Sequence, residues 1–174
     1  MKPIIFLETE GVLQTQKGVE HWLKIKGDIF GEDNFENFCP KSVEFLNKIT
    51  DNTEAVIVLT SHSREGVNIS DMKDVFKKRG VTGEIKSYTP LLGKDSTKGD
   101  EINRWFEMFG KPETFVIIDS DCTDGISSKF EEDRYVETGS VNGLNDRNIY
   151  KKILNSLSKI DKSKRKEFQS KTLF

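Results

Sequence analysis

Residues 4–7, Ile-Ile-Phe-Leu, make an unbroken apolar run that stops at an acid, Glu8, and meets a second acid, Glu10, after Thr9. A short apolar run with no polar alternation is the pattern of a strand buried on both faces, as in a parallel sheet covered by helices. Gly11 follows and can turn the chain sharply. Acids at the carboxyl end of such a strand lie where α/β folds place their ligands. Two carboxylates held this close repel, and they need a proton or a cation between them. A hard ion such as Mg²⁺ suits carboxylate and water oxygens. The same letters also describe a strand that ends in solvated acids.

Two more runs of this kind recur, at 55–59 and 114–118, separated by helical stripes. Pro40 suits the first turn of a helix whose apolar stripe is Val43, Leu46 and Ile49, widened by Phe45 and ended by Asp51-Asn52. Ala55 to Leu59 is the second strand, and Thr60, Ser61, His62, Ser63 and Arg64 follow it. Hydroxyls there can hold a phosphoryl oxygen and Arg64 can add a forked donor, although Thr-Ser after a strand also caps helices. Ser70 is read as the cap of a helix over 71–79 that Gly80 stops. Glu84 to Thr89 is the third strand. Thr97 or Asp100 caps the next helix, striped by Ile102, Trp105, Phe106 and Phe109, with Lys98 just ahead of it. Thr114 to Ile118 is the fourth strand and runs into Asp119, Asp121 and Asp124, a second carboxylate cluster or an Asx-rich turn. Arg134 to Glu137 is a fifth, short strand. Asn145 or Asp146 caps a last helix bearing Ile149, Ile153, Leu157 and Ile160. Strands alternating with helices predict a mainly parallel sheet with helices on both faces.

Residues 14–38 are read as irregular, rich in Gly and aromatics, with a short helix over 19–25. A connection of that length behind the paired acids is read as a small cap or lid, or else as a hydrophobic flap on the core. The 174 residues suit one domain over 1–160 and a basic tail over 161–174. The net charge of −2 is not that of a strong nucleic-acid binder. The charge is uneven, however: residues 151–171 carry eight Lys or Arg against two acids. Such a tail can make weak contact with a polyanion, or simply be solvated. Two cysteines, Cys39 and Cys122, are too few and too far apart for a metal knuckle. No apolar run approaches membrane-spanning length, no secretory segment is read, and the cytoplasm is the expected compartment.

Acids after strand one, a hydroxyl after strand two, a lysine ahead of a helix and acids after strand four together resemble the haloacid dehalogenase (HAD) superfamily. The matching stretches are IIFLETEGVL, AVIVLTSHSR, KGDEINRWF, FVIIDSDCTD and YVETGSVNGLN. More narrowly, the chain resembles small HAD domains of nucleic-acid-repair and phage-type proteins. The resemblance implies a Rossmannoid three-layer α/β sandwich with a small cap or none. It also implies a Mg²⁺-dependent phosphohydrolase acting on a phosphomonoester, on a small molecule or a nucleic-acid end. In that scheme Glu8 is the nucleophile, Glu10 the general acid/base and Thr60, with Ser61 as its neighbouring candidate, the phosphoryl holder. Lys98 balances charge, and outside that scheme Arg64 is read as a further substrate contact from its place after strand two. Asp119, with Asp124 or Asp121, completes a metal site with Glu8 and Glu10.

The chain departs from the family pattern, which has Asp at both first-motif positions. Each Glu moves its carboxylate by roughly 1 Å, a misplacement that can cost about a hundredfold in rate. Ser120 stands where relatives often have another acid. The alternatives are therefore a degenerate domain that binds metal, a phosphorylated ligand or a protein partner without turnover, or an interaction domain whose acids are merely surface. His62 sits in the strand-two loop and His21 in the 14–38 segment, and neither is taken as a base.

Overall fold

The computed structural model describes residues 1–26 and 38–158. Five strands form one parallel sheet: β1 (Ile4–Leu7), β2 (Val56–Leu59), β3 (Ile85–Tyr88), β4 (Phe115–Asp119) and β5 (Tyr135–Glu137). Their order is β3-β2-β1-β4-β5. Chain order runs outward from β1 to one edge, then jumps back to its other side. The reversal puts the topological switch point between β1 and β4, where α/β sheets leave a crevice for ligands.

The unbroken apolar runs are explained by the layers. Ile5 and Leu7 face one core with Leu46, Ile49, Met72, Phe76, Ile153 and Leu157. Those residues come from α2 (Pro40–Thr53), α3 (Ile69–Lys78) and α5 (Arg147–Leu157). Ile4 and Phe6 face the other core with Ile102, Trp105 and Phe106 of α4 (Lys98–Phe109). The Phe6 ring meets Trp105, Phe106 and Phe115 edge-on, at centroid distances of 5.3, 5.5 and 6.1 Å. Edge-to-face contacts suit the ring quadrupoles and add to the burial itself. β1 is thus fixed from both faces and both sides, and the residues that leave its carboxyl end have a defined exit.

Several boundaries differ from the sequence expectation. α2 runs past Asp51-Asn52 to Thr53. There Glu54 takes a left-handed conformation, φ 55°, and returns its N–H to Thr50 O. α3 starts earlier than expected because Asn68, not Ser70, caps it, its Oδ1 accepting the Ser70 N–H at 2.8 Å. Asn caps as well as Ser does, and the earlier start also brings Ile69 against the core. The short helix read over 19–25 is present and longer, as α1 (Gln16–Lys26). Its first N–H groups are taken by the carbonyls of Ser140 and Val141, so a distant loop caps it. The rest of the expected cap segment, 27–37, and the basic tail 161–174 lie outside the described residues. No helix among the described residues is long and apolar enough to cross a membrane.

Candidate active site

The chain leaves β1 in a tight knot. The N–H groups of Val12, Leu13 and Gln14 all point to the Thr9 carbonyl, and Gly11 N–H reaches Gln14 O at 2.8 Å. Gly11 adopts φ +74°, and a Cβ there would lie 2.4 Å from Ser120 Cβ. The loop after β4 can therefore press directly on the loop after β1, as the meeting of their acids requires.

Lys98 occupies the first position of α4, not the residue before it. Thr97 and Asp100 form a reciprocal capping box: Thr97 Oγ1 accepts Asp100 N–H and Asp100 Oδ2 accepts Thr97 N–H. Gly99 packs so tightly on Gly125 that a Cβ would lie 2.2 Å from its carbonyl oxygen. Asp124 Oδ2 accepts the Lys98 N–H at 3.3 Å. Helix start and strand-four loop are thus pinned together, and the Lys98 side chain is delivered into the crevice.

There the Lys98 ammonium touches two carboxylates, Glu8 Oε2 at 2.5 Å and Asp119 Oδ2 at 3.0 Å. All three side chains are deep: 12% of Lys98, 3% of Glu8 and 1% of Asp119 remains exposed. Burial alone would lower the Lys98 pKa, but the charges of Glu8 and Asp119 outweigh it and raise it. Lys98 is therefore firmly charged. Asp119 is pushed up, first by burial and also by the nearby Glu8 charge, with Lys98 opposing.

Glu8 and Glu10 are driven apart. Burial works against the Glu8 anion, but a hydrogen bond with Glu10, the Lys98 charge and the Ser61 hydroxyl prevail, holding Glu8 down to about 2. Its Oε1 also accepts Thr9 N–H at 2.7 Å. Glu10, by burial and by its bond to anionic Glu8, is pushed up to about 7. One carboxylate stays ionised while its neighbour keeps a proton near neutrality, the arrangement that separates a nucleophile from an acid.

The strand-two hydroxyls divide their roles. Ser61 Oγ accepts Thr9 N–H at 2.8 Å and lies 2.8 Å from Thr9 Oγ1, so it braces the first acid loop. Thr60 is buried, and its Oγ1 has no protein partner. A buried hydroxyl left unmatched is costly unless a ligand supplies the partner. Arg64 lies in a different setting from the one read in the sequence. It is buried and donates to the carbonyls of Thr60, Ser61 and Thr89 and to the Glu101 carboxylate, which ties β2, β3 and α4 together beneath the crevice.

Of the five carboxylates expected to share a metal, Glu8 and Asp119 converge and Glu10 stands beside Glu8. Asp121 turns to Thr123 N and Oγ1, at 2.9 and 2.6 Å, and Asp124 turns to the Lys98 backbone. Among the described residues no group of three or more His, Cys, Asp or Glu side chains is arranged to hold a metal. Mg²⁺ asks for only one or two carboxylates and keeps several waters. Glu8 and Asp119, which already converge on one cation, fit that need. His21 and His62 are both exposed. The buried Cys122 thiol is pushed up to about 12 by burial and by the Asp119 and Glu137 charges, so it is no nucleophile.

A family profile for the HAD domain in Swiss Army Knife RNA repair proteins matches residues 4–149. The chain belongs to this HAD family. The match covers all five strands and every site residue described above. Neither the curated proteins nor the solved structures yield a match.

Three features of the HAD site had weak signals in the sequence or none. The Thr9–Ser61 brace joins residues 52 apart through hydroxyls that any loop could carry. Ser120 Oγ donates to the Glu10 carbonyl at 3.0 Å. Glu101 did leave a trace: it lies four residues before Trp105, on the apolar stripe of α4, where a charge needs a buried partner.

Proposed function

We propose that the chain is a Mg²⁺-assisted HAD-type phosphohydrolase acting on a phosphomonoester. The RNA-repair context of its family makes a nucleotide or a nucleic-acid terminal phosphate the favoured substrate class. The observation that carries this reading is the single ammonium of Lys98 held by Glu8 and Asp119 at the switch point of the sheet. The unmatched, buried Thr60 hydroxyl supports it, as a donor waiting for a phosphoryl oxygen.

In this reading Glu8 attacks phosphorus and the bond from phosphorus to the leaving oxygen breaks. Glu10 gives that oxygen its proton. Glu10, now anionic, takes a proton from water as the water attacks phosphorus of the acyl phosphate, and Glu8 is released with inorganic phosphate. Lys98 and Thr60 hold the equatorial oxygens. Glu8 and Asp119 would hold Mg²⁺, which when bound supplies Lewis-acid stabilisation of phosphoryl charge. We place this activity in the cytoplasm, where the two cysteines, both free and buried, would stay reduced. The basic tail over 161–174 is proposed to add weak contact to a nucleic-acid substrate.

A second reading, binding of a phosphorylated ligand without turnover, is favoured by how firmly Glu8 is held. Both of its oxygens already have donors, and its carboxylate is one methylene longer than Asp. A phosphatase screen with Mg²⁺ on nucleotides and on 5′- and 3′-phosphorylated oligoribonucleotides separates the two. Turnover that Glu8→Gln abolishes supports the hydrolase. A silent wild-type chain beside an active Glu8→Asp, Glu10→Asp double variant supports the binding module.

A further inference from the structure

Each carboxylate oxygen of Glu8 and Asp119 already has a donor from the chain itself. Glu8 Oε1 accepts Thr9 N–H at 2.7 Å and Glu10 N–H at 3.3 Å, while Oε2 takes the Lys98 ammonium. Asp119 Oδ2 shares that ammonium, and Oδ1 accepts Asp121 N–H at 3.0 Å. The backbone carbonyl of Glu10, a further oxygen beside them, accepts the Ser120 hydroxyl at 3.0 Å. Ser120 is seated there by the missing side chain of Gly11.

We propose that Lys98 is the resident cation of this pocket, and that a divalent ion enters only by taking a carboxylate away from it. An ammonium 12% exposed is little screened by water, so a doubly charged ion sharing its carboxylates meets strong repulsion. Mg²⁺ also demands near-ideal octahedral oxygens, and here they must first be freed from hydrogen bonds. Divalent binding to the resting chain is therefore weak, and Lys98 sets how weak. The inference rests on the reading that this pocket works with a divalent ion, but it concerns binding and not turnover.

The test is calorimetric titration of the full chain with MgCl₂, with Mn²⁺ binding followed by electron paramagnetic resonance as a second measure. The wild-type chain is expected to bind in the millimolar range, and Lys98→Met to bind roughly tenfold tighter or more, a change of about 1.4 kcal/mol or above. Ser120→Ala is expected to tighten binding by a smaller factor. Micromolar binding by the wild-type chain, or a Lys98→Met variant that binds no tighter, overturns the proposal. Should Lys98→Met not fold, the wild-type chain decides. Its Lys98 ammonium nitrogen resonance shifts on Mg²⁺ saturation if the lysine is displaced, and an unmoved resonance overturns the idea. Turnover is scored separately. A chain without phosphatase activity but with this cation competition sinks the hydrolase reading alone. An active chain with micromolar Mg²⁺ binding sinks this inference alone.

Discussion

Glu8 and Glu10, separated only by Thr9, hold their protons oppositely: the first is ionised down to about 2 and the second keeps its proton up to about 7. The split follows from position. Glu8 points at Lys98 and receives backbone N–H groups, while Glu10 has mainly the Glu8 anion and the Thr9 hydroxyl beside it.

That split has a signature in stability. Folded Glu10 holds a proton up to about 7, and unfolded Glu10 releases it near its ordinary value of 4.5. Its contribution to stability is thus complete below 4.5 and is lost as pH rises through 7. Glu10→Gln, which cannot ionise, should gain on the wild-type chain in melting temperature from about pH 5 to about pH 8. Glu10 is exposed, so solvent limits the gain to roughly 2–4 °C, the equivalent of about 1 kcal/mol in a domain of this size. Thermal unfolding across that pH range reads it directly, and parallel curves would contradict the assignment.

Thr60→Val should separate ligand binding from folding. The hydroxyl has no partner in the protein, so removing it costs little and can even stabilise the fold. A hydrogen bond to a charged phosphoryl oxygen is worth about 1.5–3 kcal/mol, so affinity for a phosphate mimic such as vanadate should fall roughly tenfold or more. Paired melting and binding curves test this. A marked loss of stability with unchanged affinity would assign the hydroxyl to the core.

Arg64 and Glu101 should behave as a sealed pair. Removing one partner strands a buried charge, so Arg64→Met or Glu101→Leu should cost about 3–5 kcal/mol. The double variant Arg64→Met, Glu101→Leu should recover part of that loss, because no orphan charge remains although the Thr60, Ser61 and Thr89 carbonyls lose their donor. Denaturant unfolding of the three variants measures the coupling, and additive losses would deny it.

Gly99→Ala should loosen the site at a distance. The new methyl meets the Gly125 carbonyl, and relief requires the strand-four loop to move off the start of α4. A cost of about 1–3 kcal/mol is expected for overpacking against backbone. The Asp124 carboxylate should lose its hold on the Lys98 N–H as well. Amide hydrogen exchange at residues 97–100 should accelerate relative to the helix interior.

The sheet was legible because its central strands are apolar without interruption, which few other settings tolerate. The meeting of Glu8 with Asp119 follows from the same pattern, since both leave carboxyl ends of neighbouring parallel strands. Arg64 was less legible. A guanidinium fork suits a phosphate and a ring of buried carbonyls equally, and only the packing of α4 decides between them. The choice of Asn68 over Ser70 as a cap turns on two residues of nearly equal preference. The Ser61 brace depends on a spacing between strand ends that no local pattern encodes.

β4 is inserted beside β1 although more than a hundred residues separate them in the chain. On a ribosome, Glu8 therefore emerges long before the lysine and the aspartate that share its charge. Until then the nascent chain carries an unfinished, acid-tipped strand with an open flank. The pocket arises only once residue 119 has been made, and no fragment of the chain that stops short of it can possess it.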